Sequence, residues 1–381
     1  MPRLSSLIMK ALTAAAPAAV SSLVTWTTGT QQAKLQASNV SSADTFGQSV
    51  SMSSDGNLAL VGATGEDTTA GGSGAAYIFT RSSSTWTEQT MLKASDAQAN
   101  DNFGYSSFLS SDGNTAIIGA YAEDTGAANV GAAYIFTRSG STWTEQAKIQ
   151  ASDKEDGDYF GWSVALSENG NTAIVGAKFE DTGGTSTGAA YIFTRSGSTW
   201  TEQARIQASD KQAGDYFGES VALSSDGNTA FVGAPDKYSI QGRAYIFTRS
   251  GSTWTQEARI QASNYAASHQ AYSRFGWSIS ASGDGNTAII GAKFEDTGDS
   301  NAGAAYIFTR DGTTWTEQAM IQASDKALSW HFGYSVSMSN DGNTVIVGAE
   351  YSRVGGVQTG AAYLFTRDGT TWTEQSKISA S

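Results

Sequence analysis

From Phe160 to Ser167 the chain reads FGWSVALS, with Trp162, Val164 and Leu166 on one side and Ser163, Ala165 and Ser167 on the other. Alternation of period two predicts a strand with one large and one small face. Asn169-Gly170 follows, and Asx-Gly is the residue pair that a two-residue hairpin turn prefers, because both turn positions need positive φ. The next run, NTAIVGA, is apolar on both sides and predicts a buried strand. A longer loop carrying Glu180-Asp181-Thr182 leads to GAAYIFTR, a third alternating segment. A tight Ser-Gly-Ser turn then precedes TWTEQARIQAS, which is polar and predicts an edge strand.

This unit is repeated. Phe-Gly recurs at Phe46, Phe103, Phe160, Phe217, Phe275 and Phe332, at intervals of 57, 57, 57, 58 and 57 residues. An Asx-Gly turn recurs in all six units, at Asp55, Asp112, Asn169, Asp226, Asp284 and Asp341. Four antiparallel strands per unit, with no helical periodicity, predict an all-β propeller of six complete blades, since closure into a ring hides the faces an open row would expose. The N-terminus complicates the count. QQAKLQAS (31–38) copies the fourth strand EQAKIQAS (145–152), although the sixth unit already has its own fourth strand. The alternatives are six blades with a spare edge strand, or a seventh, degenerate blade within residues 1–45; counting complete units favours six. Residues 24–381 read as one propeller. Residues 1–23 are basic, Ala-rich and free of acids, and read as an arm or targeting segment.

The pair FGWSV…IVGA resembles the FG-GAP repeat, the blade unit of integrin α-subunit head propellers, over about residues 31–381. The resemblance implies the propeller fold, a surface location and adhesive or binding roles. In calcium-binding members an Asp-rich loop joins the first two strands. Here that connection is SSDGN or SENGN, so the calcium loop is not carried over, and Asp55, Asp112, Asp226, Asp284 and Asp341 read as turn formers.

Composition narrows the chemistry. A net charge of −13 argues against nucleic acid as a partner. The chain has no cysteine and two histidines, His269 and His331, and no hydrolase, zinc or phosphate-loop motif in context, so the expectation is that it is not an enzyme. No metal ligand or cofactor is assigned. Acidic pairs such as Glu123-Asp124 and Glu180-Asp181 raise calcium as a candidate, but their spacing matches no known calcium loop, and they read as turn caps. Trp86, Trp143, Trp200, Trp254, Trp315 and Trp372 occupy equivalent outer positions and read as packing, or alternatively as the platforms of a multivalent lectin. Repetition fails in the loops of units four to six, which introduce Tyr238, Tyr265, His269, Tyr272, Arg274, Trp330, His331, Tyr351 and Arg353. Tyr, Trp and Arg are enriched at binding hot spots, so these nine residues are the candidate ligand site. The function expected is a binding module at a cell or virion surface, recognising a protein or a glycan through its loops. A purely structural subunit is the other class, with an oligomer formed through the N-terminal arm or spare strand. No segment reads as a membrane span.

Overall fold

The computed structural model describes residues 31–39, 41, 43–237, 241–264, 272–297 and 299–379. They form six four-stranded antiparallel sheets, each with its strands in chain order, so the chain is a six-bladed β-propeller. Blade three comprises Phe160–Leu166, Thr172–Ala177, Ala189–Ser196 and Thr199–Ile206. The first strands of successive blades lie side by side around the central channel, and the fourth strands form the outer edge. The second strand of blade three, apolar on both faces, is buried at every position. One end of the channel is ringed by the Asx-Gly turns. The other, the mouth, is ringed by the Phe-Gly segments and the long loops.

Cohesion comes from apolar faces shared between neighbours. The rear of blade two, through Ile117, Ile135 and Ile149, packs on the front of blade three, through Phe160, Val164, Tyr191 and Phe193. Burial of side chains this size stabilises by about 1.5–3 kcal/mol each before entropy is counted. Five outer tryptophans, Trp143, Trp200, Trp254, Trp315 and Trp372, bond to the preceding blade through their indole N–H. Trp200 Nε1 donates to Gln146 Oε1 of the preceding blade at 3.0 Å, while the Arg195 guanidinium lies 5.6 Å from its ring centroid. Ser152 donates from its backbone N and its hydroxyl to Glu202 of the next blade, at 2.9 and 3.0 Å.

Residues 31–37 carry no strand pairing among the described residues. Their side chains nevertheless hold the places of an outer strand. Leu35 and Ala37 pack against blade one, and Ser38 donates to Glu88 as Ser152 does to Glu202. The sequence match was one of side-chain chemistry, and side-chain contacts are what it produces. The rest of the proposed N-terminal arm, with residues 1–23, lies outside the described residues.

Candidate functional site

The Phe-Gly motif is a device for presenting its neighbours. In every blade the residue before Phe-Gly accepts a hydrogen bond from the backbone N of the residue after it, at 3.0 to 3.2 Å. The result is a tight turn with Gly at its third position, where φ of 87° to 95° suits only glycine. The phenylalanine points inward; Phe160 is fully buried with ring centroids 5.5 Å from Tyr191 and 5.9 Å from Phe193. The ladder skips here: Phe160 pairs with Ala177, Ser163 pairs with Gly176, and Gly161 and Trp162 bulge out. Such a bulge re-aims a side chain.

The flanking positions therefore face the mouth, and they differ from blade to blade. Before Phe-Gly stand Thr45, Asn102, Tyr159, Tyr216, Arg274 and His331, all with φ between 52° and 58°. After it stand Gln48, Tyr105, Trp162, Glu219, Trp277 and Tyr334. A second turn, closed in blade three by Glu180 N donating to Ala177 O at 3.2 Å, adds two more positions per blade. The first holds Thr64, Tyr121, Lys178, Pro235, Lys293 and Glu350; the second holds Gly65, Ala122, Phe179, Asp236, Phe294 and Tyr351. The third strand, by contrast, reads AAYIF in four of the six blades and departs from it by one residue in each of the others, as RAYIF and AAYLF.

These residues build two aromatic arcs. Over blades two to four, Tyr121, Tyr159, Phe179 and Tyr216 succeed one another with centroids 5.4, 5.0 and 5.2 Å apart, and Tyr105 and Trp162 lie inside them, 4.6 Å apart. Over blades five and six, His331 lies 4.8 Å from both Phe294 and Tyr351, and Trp277 lies 6.0 Å from Tyr334. Charges are set among the rings. Lys178 Nζ sits 3.3 Å from the Trp162 centroid and donates to Glu219 Oε2 at 2.9 Å, and Glu219 Oε1 accepts from Trp162 Nε1 at 3.3 Å. Burial pushes the Lys178 ammonium below its ordinary pKa, against the pull of Glu219. Lys293 Nζ sits 3.0 Å from the Trp277 centroid. Arg274 pairs with Asp236 at 3.1 Å, and His331 Nδ1 lies 3.0 Å from Glu350 Oε1. Burial pushes the Asp236 carboxyl up, with Arg274 opposing.

The nine residues named from sequence distribute around this centre. Arg274 and His331 line the mouth, and Tyr351 stacks at its rim. Trp330 lies beneath Lys377, whose Nζ is 4.7 Å from its centroid. Tyr272 and Arg353 are exposed on the surrounding loops, the latter in a small hairpin of Arg353–Val354 and Val357–Gln358. Tyr238, Tyr265 and His269 lie outside the described residues. Sequence reasoning passed over Tyr105, Tyr121, Trp162, Lys178, Glu219, Asp236, Trp277 and Lys293. The signal was available: aligning the six units position by position isolates these columns as variable inside an invariant frame.

The acidic loops are turn caps and ion-pair partners. Asp181 Oδ1 accepts from Ser186 N at 2.6 Å, Glu180 Oε1 accepts from Thr182 N at 3.0 Å, and Arg205 reaches both Glu180 and Asp153. Asp55 accepts from Asn57 N at 2.9 Å, and although burial opposes its charge, hydrogen bonds from Ser53 and Asn57 hold it below the ordinary carboxylate range.

The repeats match the FG-GAP repeat family at residues 29–79, 86–136, 143–193, 200–247, 254–308 and 315–365, and the chain belongs to that family. Each matched unit runs from one outer strand into the next blade, and in the first the described residues 31–38 stand where the others have that strand. No curated protein matches the chain. Among solved structures it resembles the periplasmic gluconolactonase PpgL of Pseudomonas aeruginosa, at 13% identity and a TM-score of 0.56, over 86% of this chain and 84% of that one. This corrects the expectation that the chain is not an enzyme. An enzyme is built on a similar propeller, so the propeller fold is no argument against catalysis.

Proposed function

We propose that the protein is a surface recognition module that binds a glycan at the channel mouth. The observation that carries this reading is the distribution of difference. Blades that agree almost residue for residue in their third strands diverge at four turn positions each, and those positions meet at one end of the ring. Drift would scatter over all exposed loops. The residues placed there are half-buried rings interleaved with hydrogen-bonding charges, the lining that orients a polar ligand with apolar ring faces. Five of the six outer tryptophans are engaged between blades, so they are not needed as sugar platforms.

A glycan array probed with the purified protein, followed by calorimetric titration of the best sugar, tests the reading. The expected result is binding that falls at least tenfold in Tyr121→Ala, whose ring contacts Tyr105, Tyr159 and Trp162 at the mouth, and is unchanged in Trp86→Ala at the outer edge. Binding lost equally in both would overturn it. A protein partner is the second reading, favoured by one observation. The large hydrophobic residues exposed among the described residues, Tyr272, Leu328, Tyr351 and Val357, all belong to mouth-side loops of blades five and six.

A further inference from the structure

Two of the six blades carry the same mouth. Only units three and five read Phe-Gly-Trp followed sixteen residues later by Gly-Ala-Lys-Phe, with Trp162 and Lys178 in one and Trp277 and Lys293 in the other. The Trp and Lys travel together: where the position after Phe-Gly is Gln, Tyr or Glu, the lysine is Thr, Tyr, Pro or Glu. The structure gives the reason. Lys178 Nζ is held over Trp162 at 3.3 Å and near Phe179 at 4.9 Å, and Lys293 Nζ over Trp277 at 3.0 Å and near Phe294 at 4.8 Å. A buried ammonium on an indole face is attracted by the ring quadrupole, and the contact fixes its N–H donors in place beside an apolar ring. Each constellation is thus the same lysine-on-indole wall, completed differently by the next blade: Glu219 accepts from Lys178 at 2.9 Å, whereas the Tyr334 ring centroid lies 5.2 Å from Lys293 Nζ. Between them, blade four supplies Glu219 and Asp236 in place of a third copy.

Resting on the saccharide reading above, we infer that the mouth holds two subsites built on the same Trp-Lys-Phe wall, one in blade three and one in blade five, and that its ligand is an oligosaccharide of repeating units that engages both at once. A pocket for a single sugar has no use for the same wall twice. A chain that repeats meets each wall with the same chemistry, and the second contact becomes intramolecular, which raises affinity without new interactions.

The test is calorimetry with a ladder of one sugar family, from mono- to hexasaccharide, chosen as the family bound on the array. Two monosaccharides are expected to bind per protein and one long oligosaccharide, with affinity rising at least tenfold once the chain spans both subsites. Trp162→Phe and Trp277→Phe, checked for unchanged melting temperature, should each return the long chain to monosaccharide affinity while leaving one monosaccharide bound. One monosaccharide per wild-type protein, or affinity independent of chain length, overturns the two-subsite inference and leaves glycan binding standing. No binding of any sugar removes both.

Discussion

At the scale of the residue, the repeat supplies its own mutagenesis. In blades two, three, four and six an aspartate before the Phe-Gly loop faces a cation on the outer strand: Asp96 with Lys148, Asp153 with Arg205, Asp210 with Arg259, Asp325 with Lys377. In blades one and five both members change together, to Asn39 with Met91 and Asn264 with Met320, where the amide donates to Glu66 or Glu295 at 3.1 Å. Lys148 also neutralises Glu123, whose side chain is 1% exposed, at 2.7 Å. Lys148→Met alone leaves the buried Glu123 carboxylate without its cation and beside the exposed Asp96, and is expected to destabilise by about 1–3 kcal/mol. Adding Asp96→Asn rebuilds the arrangement of blades one and five and should recover most of that loss. Urea unfolding of the two single variants and the double variant measures the coupling. Additive losses would mean the pairs vary independently.

At the scale of the element, the Phe-Gly turn shows that positive φ and crowding are separate demands. Gly161 has φ of 93°, and a methyl group there would meet Ala132 O of the preceding blade at 2.3 Å. Gly157, in the loop just before, has φ of 84° and open space around its missing methyl. Gly157→Ala is expected to cost about 1–2 kcal/mol, the left-handed penalty alone. Gly161→Ala must also push neighbouring blades apart, and should cost more than about 3 kcal/mol or prevent folding. Thermal unfolding of both decides; equal losses would show that the close approach relaxes freely. The same turn explains what could be read from sequence. Period-two alternation, Asx-Gly turns and a fixed interval expose the blade because they act within one unit. The mouth is made of residues from six blades, brought together only by closure, and Trp162 reads in isolation as one more large residue on a strand face. The loops drew attention through their composition, whereas the mouth is visible only by comparing units.

At the scale of the whole molecule, five of the blade junctions are alike and one is not. Hydroxyls of Ser49, Ser106, Ser163, Ser220 and Ser278 donate to Gly104, Gly161, Gly218, Gly276 and Gly333 of the next blade, at 2.8 to 2.9 Å. Ser335, which holds the same place in blade six, is half-buried, but its hydroxyl oxygen is shielded from solvent and finds no partner. The backbone chain that links the turns at the far end runs from Ser54 through Ser111, Glu168, Ser225 and Gly283 to Asn340, one bond per junction from blade one to blade six. The ring is thus stitched in chain order, and the junction where blade six returns to blade one is held differently. Ser278→Ala removes a donor and strands the Gly333 carbonyl, which should cost about 1–3 kcal/mol. Ser335→Ala removes a desolvated hydroxyl that makes no bond, and should be neutral or slightly stabilising. Chemical denaturation of the two variants compares the junctions directly. Equal losses would mean that blade six bonds to blade one as every other pair does; unequal ones would identify this seam as the place where the ring opens first when it unfolds.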